Sequence, residues 1–241
     1  YNTLSWGKSF GGNHNFNVMV GTEYKRYDGK NFQAKKRDYF NNQLTALSVG
    51  ATMEDISGGS SLELLFSYFG RITYDYKEKY LIDVTARYDG SSNFAANHKW
   101  GFFPSAAVKW NAKNENFLKQ VRWLDELSLR LSAGRTGNDA ISAYRSLAAM
   151  SSTTSGYLFD GMQPGAYYRS RLASPNLTWE KTDLYNAALD LAFFNNRLMI
   201  TAEGYISKTR DLLLTVQTAS ATGYTSRYAN IGKTSNKGVE L

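Results

Sequence analysis

The chain has 241 residues, with 28 Lys and Arg against 21 Asp and Glu, which gives a net charge of +7. Aromatic residues make up 15%, there are 20 Gly and 3 Pro, and Cys is absent. The absence of Cys excludes disulfides, thiolate metal sites and a cysteine nucleophile. The two histidines, His14 and His98, lie far apart, which argues against a zinc site or a Ser-His triad. This residue usage favours an all-β fold.

Apolar and polar residues alternate along several segments, and this period of two predicts β-strands. The clearest segments are 16–25, 62–75, 80–89, 127–134, 187–193 and 198–206. We count about eight strands and the start of a ninth near Ala229. Helix is nearly absent, with a turn or two at most between Asn114 and Gln120.

The connections between these strands alternate between short and long. Short ones at 11–15, 76–79 and 195–196 alternate with long ones at 28–61, 136–178 and 211–228. Outer-membrane barrels alternate in this way, with short periplasmic turns and long extracellular loops. The predicted strands, at about 11 to 14 residues, also suit a tilted membrane crossing. The sequence therefore predicts an antiparallel transmembrane β-barrel segment, with loops Asp28–Ser61 and Thr136–Thr178 both extracellular.

Other functions find less support in the residues. Ile231–Thr234 looks like the end of a phosphate-binding loop, but the required upstream Gly is Arg227 and a strand follows. The basic run Tyr24–Arg37 favours a solvated loop, which could face anionic lipopolysaccharide, over nucleic-acid binding. The acidic pairs Glu54-Asp55 and Asp125-Glu126 are sequence neighbours, which point to opposite faces of a strand. We therefore expect no enzyme activity, no catalytic residue, no cofactor, no metal and no nucleic-acid partner.

Aromatic residues of the longest loop are the best candidates for ligand contact, because their rings can stack on flat faces such as sugars. The candidates are Tyr157, Phe159, Tyr167, Tyr168, Arg169 and Trp179. The alternative is that these residues pack the loop against itself or form an interfacial girdle.

Two hairpins can be given a register because paired residues must share a face. In the hairpin 62–88 the apolar residues of both strands are even-numbered, so the turn must contain an odd number of residues. A three-residue turn Tyr76–Glu78 would place Arg71 opposite Asp83 and Ser67 opposite Arg87. In the Asn195-Asn196 hairpin the apolar residues are odd-numbered on the first strand and even-numbered on the second, so the turn must contain an even number of residues. Two Asn residues suit a type I′ turn with φ > 0 at both positions.

Several motifs resemble the SusC/RagA family of TonB-dependent outer-membrane transporters, and the resemblance covers most of the chain. They are RYDGSSNF at 87–94, WGFFPSAA at 100–107, LRLSAGRTGN at 129–138, NLTWEKT at 176–182, FFNNRL at 193–198, NIGK at 230–233 and NKGVEL at 236–241. Their order and spacing are similar to the C-terminal half of such a barrel.

The resemblance implies a barrel of about 22 strands that is plugged by an N-terminal domain. We expect residues 1–241 to be part of this barrel domain, without the plug. The resemblance also implies TonB-dependent uptake of glycans or peptides, a SusD-like surface lipoprotein partner, and the outer membrane of a Gram-negative, Bacteroidetes-like cell. A passive porin or adhesion barrel, or a soluble carbohydrate-binding β-domain, remains the alternative.

Overall fold

The computed structural model describes residues 1–153, 158–162 and 165–241. This part of the chain contains thirteen β-strands and three short 3-10 helices, and no α-helix. The strands are β1 (Asn2–Phe10), β2 (His14–Arg37), β3 (Thr52–Tyr76), β4 (Tyr80–Ser91), β5 (Trp100–Asn111), β6 (Leu124–Asn138), β7 (Ala149–Thr153), β8 (Ala166–Arg171), β9 (Glu180–Phe193), β10 (Leu198–Arg210), β11 (Leu213–Gln217), β12 (Ser226–Asn230) and β13 (Lys233–Glu240). The 3-10 helices are Leu47–Val49, Ala112–Asn114 and Ser220–Thr222. Among the described residues, no helix has the length and apolar character needed to cross a membrane.

Nine of these strands form one sheet in the order β1-β2-β3-β4-β5-β6-β9-β10-β13, and every neighbouring pair is antiparallel. The prediction of an antiparallel all-β fold is therefore confirmed. The ninth strand of the sheet is β13, whereas Ala229 lies in β12. Strands β7 and β8, and likewise β11 and β12, pair as separate two-stranded sheets within the long connections.

The connections alternate in length, as the sequence predicted, except that 92–99 is shorter than 112–123. Short turns at 11–13, 77–79 and 194–197, and the longer connection 112–123, lie at one end of the sheet. The connections at 38–51, 92–99, 139–179 and 211–232 lie at the other, and they include the longest ones. The two ends are called the short-loop end and the long-loop end below.

The predicted loop Asp28–Ser61 is wrong in its extent, because most of it is strand. Strands β2 and β3 pair continuously from His14↔Tyr76 to Arg37↔Thr52, with one irregularity between Lys35 and Lys36. Where this hairpin extends past the ends of the neighbouring strands, the side chains on both of its faces are largely exposed. A strand whose two faces both contact water does not need alternating apolar and polar residues. Its sequence therefore lacks the period of two that predicts a strand. Residues 28–62 are called the arm below.

The nine-stranded sheet has one apolar face. Its middle carries aliphatic side chains between 37% and 52% exposed, which is high for residues of this type. They are Val20, Ile72, Ile82, Val84, Val108, Leu129, Leu131 and Leu189. On β4 this band runs from Tyr80 to Tyr88, which is eight residue steps. At ~3.3 Å per residue and a tilt of ~40°, this is about 20 Å, close to the ~25 Å apolar band of outer-membrane barrels.

Aromatic clusters border the band at both ends. At the short-loop end Phe16 and Tyr74 have ring centroids 4.6 Å apart, and His14 and Tyr76 are 4.7 Å apart. At the long-loop end Trp100 stacks on Tyr88 at 4.8 Å. Two aromatic rows around an apolar band are typical of strands that cross a bilayer.

The predicted register of the β3–β4 hairpin is wrong by two residues, although its face assignment is right. Tyr76 pairs with Tyr80, and Lys77–Lys79 form the turn. The odd turn length follows the parity argument, but Arg71 lies opposite Thr85 and Ser67 opposite Asp89. The turn is set by left-handed φ values of 54° at Lys77 and 55° at Glu78, and by Asp75 Oδ1, which accepts from the Glu78 amide at 3.2 Å.

The Asn195-Asn196 hairpin keeps the predicted parity. Phe193 pairs with Leu198, and φ is 58° at Asn195 and 59° at Asn196. Phe194 also has a positive φ of 58°, so the turn has four residues and differs from a two-residue type I′ turn.

Candidate functional site

The polar face of the sheet carries a lattice of paired charges. The guanidinium of Arg87 donates to Asp89 Oδ1 at 2.7 Å, to Ser67 Oγ at 2.9 Å and to Glu23 on β2. Strict alternation along β2, β3 and β4 places these groups on one face. The carboxylates are largely covered, with side chains 15% exposed for Glu23 and 11% for Asp89. Arg87 thus ties three strands together across the polar face.

A second group of charges lies on the other half of this face. Arg130 forms a fork on Asp190, with Nε to Oδ2 at 2.7 Å and Nη2 to Oδ1 at 3.0 Å. Thr201 and Ser128 also donate to Asp190, at 3.0 and 3.3 Å. Two-pronged Arg–carboxylate pairs are among the stronger charge-assisted hydrogen bonds. The polar face is therefore a wetted surface whose charges are held in fixed positions.

The long-loop end contains a small apolar core that sequence reasoning missed. Phe94, Phe103, Leu177 and Trp179 are between 1% and 7% exposed. The ladder between β5 and β6 stops at Ser105↔Gly134, and Phe103 lies just beyond this point. The Trp179 ring lies 5.2 Å from Phe103 and 5.4 Å from Phe94. This core joins the connections 92–99 and 139–179, which together with 211–232 are called the rim below.

Side-chain hydrogen bonds hold the rim connections together. Asn230 accepts from the Thr178 amide at 2.8 Å and donates to the carbonyls of Thr178 at 2.7 Å and Asp211 at 2.8 Å. Arg171 donates to the Tyr144 carbonyl at 2.8 Å. These contacts hold the loops in a defined conformation. The sequence did not predict them, because they produce no periodic pattern of apolar residues.

The structure separates the predicted ligand-contact residues. Phe159 is 75% exposed, Tyr167 79% and Tyr168 46%, and Arg169 is exposed next to Tyr168 on β8. Trp179 instead is 3% exposed and donates its indole N–H to the Lys99 carbonyl at 2.8 Å, so its ring faces are covered by the rim core. For Trp179, packing of the loop against itself therefore describes its environment better than ligand contact does. Tyr157 lies outside the described residues.

The basic run Tyr24–Arg37 lies in β2 and leads up the arm. On β2 the arm runs from Asp28 to Arg37, which is ~30 Å along the strand direction at ~3.3 Å per residue. Its exposed apolar side chains include Phe32 at 76%, Phe40 at 91% and Ile56 at 60%. Exposed apolar groups on an arm of this length are typical of a surface that contacts another molecule.

The chemistry of these surfaces is that of binding. Within residues 1–153, 158–162 and 165–241 no group of three or more His, Asp or Glu is arranged to hold a metal ion. The polar face offers paired charges and hydroxyls, and the rim offers exposed rings. Such groups can hold a polar or sugar-like molecule by hydrogen bonds and stacking.

An apolar band between two aromatic rows, a polar opposite face and alternating connections together define the wall of a transmembrane β-barrel. The family model described as TonB dependent receptor-like, beta-barrel, matches residues 1–241. The chain therefore belongs to this family. It is similar to the TonB-dependent receptor SusC and to the RagAB peptide transporter, in agreement with the SusC/RagA resemblance of its motifs.

The sequence relatives are themselves named as receptors. The chain is 38% identical over its whole length to TonB-dependent receptor P3 of Formosa agariphila, and 36% identical over 97% of its length to TonB-dependent receptor SusC of Bacteroides thetaiotaomicron. The solved structure of the RagAB peptide transporter superposes with a TM-score of 0.89, at 29% identity over 98% of the chain. The chain spans about a quarter of these proteins: 24% of P3, 23% of SusC and 26% of the matched RagAB chain.

Proposed function

We propose that this chain forms the wall and extracellular rim of an outer-membrane transporter that takes up glycans or peptides with energy supplied by TonB. The observation that carries the proposal is the two-faced nine-stranded sheet, whose charged polar face would line the path of a polar substrate. Membership in the TonB-dependent receptor family supports the energised mechanism. The long-loop end is then extracellular.

The exposed rings of the rim support a role in substrate capture. The exposed rings of Phe159, Tyr167 and Tyr168 offer stacking faces, and Arg169 on β8 offers a cation. RagAB is named a peptide transporter, which favours peptides as a substrate class here. The stacking rings of the rim favour glycans as the other class. We assign Trp179 and Tyr157 no separate step in this proposal.

The arm supports a partner on the cell surface. Its exposed apolar residues lie far above the apolar band, where lipid cannot cover them. A SusD-like lipoprotein lid would bury them and close the barrel over its cargo. The basic residues of Tyr24–Arg37, which begin below the arm, favour contact with anionic lipopolysaccharide.

Uptake measurements on the full-length protein test the mechanism. Cells that carry the gene should import labelled oligosaccharides or oligopeptides, and depletion of TonB should abolish import while surface binding persists. Import that continues at the same rate without TonB would favour a passive porin and contradict the proposal. Release of the protein without detergent would contradict the membrane location.

Two variants test the assigned surfaces. Tyr167→Ala should weaken substrate binding about 5- to 100-fold, the range for loss of one stacking ring. Tyr24→Ala, which removes an exposed ring on the apolar face of β2, should leave substrate binding unchanged. Deletion of residues 32–57 leaves Asn31, Gly58 and Gly59 as a three-residue turn between Lys30 and Ser60. We expect this shortened arm to lose the lipoprotein from the purified complex while the barrel still folds.

A further inference from the structure

The apolar face does not end in the same way around the sheet. On β3, β4 and β5 its long-loop border is aromatic, with Tyr68, Tyr88 and Trp100 in mutual contact. On β6, β9, β10 and β13 the same border is cationic. The residues at this border are Arg135, Lys181, Asp183, Lys208, Arg210, Lys233 and Lys237.

The register places these cations on the lipid side. Arg135 pairs with Asp183, which pairs with Lys208, and these positions alternate in step with Leu189, Tyr185 and Ile206 of the band. Arg210 pairs with both Lys181 and Lys233, one row farther toward the long-loop end. The charges therefore begin where the apolar side chains of β9 and β10 stop.

In the described part of the chain, this cluster contains more cations than carboxylates. Asp183 accepts from Arg135 Nε at 2.7 Å and lies 3.0 Å from Arg210 Nη2, which holds the two guanidinium groups side by side. Lys181 approaches Asp211 at 3.9 Å. Among the described residues, no ion pair is formed by Lys208, Lys233 or Lys237. Six cations thus face two carboxylates, and like charges at this spacing repel unless an anion joins them.

A surface depression of about 530 Å³ lies in this cluster, lined by Asp183, Lys208, Arg210, Lys233 and Ser235 among others. Guanidinium groups have five N–H donors each, so those not used on Asp183 remain for phosphate oxygens. Tyr185 and Ile206 lie directly on the membrane side, 53% and 39% exposed, where acyl chains can cover them.

We propose that this cluster is a binding site for a phosphorylated glycolipid of the outer leaflet, with the lipid A part of lipopolysaccharide as the occupant. Phosphate would lie among Lys208, Arg210 and Lys233, and the acyl chains would lie along Tyr185 and Ile206. Free inorganic phosphate fits less well, because the site opens onto the apolar band. The inference rests on the outer-membrane location proposed above, and it adds a site that the transport mechanism does not require.

The test uses the full-length protein, delipidated in detergent, with lipid A, enzymatically dephosphorylated lipid A, phosphatidylglycerol and inorganic phosphate as probes. We expect the triple variant Lys208→Gln/Arg210→Gln/Lys233→Gln to bind lipid A roughly 100-fold more weakly, since each cation near an anionic lipid surface strengthens binding about fivefold. The control Lys119→Gln/Arg122→Gln/Arg197→Gln changes the charge equally, at exposed positions of the short-loop end, and should bind like wild type. If the triple variant does not fold, Lys208→Gln alone should still weaken binding roughly fivefold.

Equal binding by the triple variant and wild type would overturn the proposal, as would equal binding of dephosphorylated lipid A. Equally tight phosphatidylglycerol binding would overturn the glycolipid assignment, and so would complete displacement of lipid A by millimolar phosphate. Uptake is measured on the same variants. A protein that imports substrate but does not bind lipid A contradicts this inference alone, whereas one that binds lipid A but imports nothing contradicts the transport proposal alone.

Discussion

Arg71 donates its Nε to Asp83 Oδ2 at 2.6 Å although the two residues are diagonal rather than directly opposite in the β3–β4 ladder. Asp83 lies opposite Thr73, whose hydroxyl also donates to it at 3.1 Å. Diagonal neighbours on one face of an antiparallel pair lie about 7–8 Å apart at the backbone, within reach of a long Arg side chain. An ion pair on a sheet therefore shows that its two residues share a face. It does not distinguish between two strand registers that differ by two residues.

The Arg87 group should contribute more to stability than the Arg71 pair. Arg87→Met leaves Glu23 and Asp89 largely covered and without their shared cation, and we expect a loss of roughly 2–3 kcal/mol. Arg71→Met leaves Asp83 with two threonine hydroxyls and a side chain 27% exposed, so its loss should stay below about 1 kcal/mol. Urea unfolding of the full-length protein, followed by gel mobility, measures both. Equal losses would contradict the difference in coverage as the cause.

The sequence predicted the faces of the strands but not their register. Parity places Ile72, Ile82 and Val84 together on the apolar face, because a period of two survives any even shift. Which three residues form the turn depends on φ at Lys77 and Glu78 and on the cap from Asp75. These local hydrogen bonds leave no hydrophobic pattern in the sequence.

The arm and the rim core escaped prediction for related reasons. Gly58, Gly59, Ser60 and Ser61 resemble a loop, yet each is paired in β3. Hydrogen bonds across a wet hairpin need no apolar residues. The rim core assembles Phe94, Phe103, Leu177 and Trp179 from three segments, and only the folded barrel brings them together. The aromatic candidates of the sequence were therefore divided by burial, which the sequence alone does not reveal.

Asn230 should anchor the rim. Asn230→Ala removes one accepted and two donated hydrogen bonds, and the local opening free energy at Thr178 should fall by about 1–3 kcal/mol. Hydrogen exchange at the Thr178 amide should then accelerate roughly 5- to 150-fold. Asn230→Asp should be at least as damaging, because it replaces the donor amide with a carboxylate facing two carbonyls. Asn41→Ala, which removes a cap inside the loop of the arm, should leave Thr178 unchanged.

Glu115 should give the short-loop end a pH-dependent stability. Its carboxylate accepts from Lys79 Nζ at 2.6 Å and from the Tyr80 hydroxyl at 2.7 Å, and the hydrogen bond from Lys79 is the main cause of its lowered pKa. A carboxyl group whose pKa is lowered by folding stabilises the folded state above its unfolded pKa, here about 4.5. That contribution is lost as the pH falls from there through the lowered folded pKa.

Unfolding free energies of wild type, Glu115→Gln and Lys79→Gln between pH 7 and 3 measure this effect. The difference between wild type and either variant should be constant near neutral pH and shrink below about pH 4.5. A difference that grows toward acid pH would show that the pair does not lower the pKa of Glu115.

Gly137 should be intolerant of any side chain, because a Cβ at this position would lie 2.1 Å from Cζ of Phe103. The Phe103 ring cannot swing away freely, since it is 7% exposed and packed against Trp179. Gly137→Ala should therefore displace the ring and loosen the rim core, at a cost of about 1–3 kcal/mol. Gly70→Ala is the matched control: its Cβ would meet its nearest atom, the Met19 carbonyl oxygen, at 3.4 Å, an ordinary contact. Protease cleavage within 139–179 in intact cells should rise for Gly137→Ala and stay at the wild-type level for Gly70→Ala. Equal cleavage of both variants would mean that the rim core does not hold this connection in place.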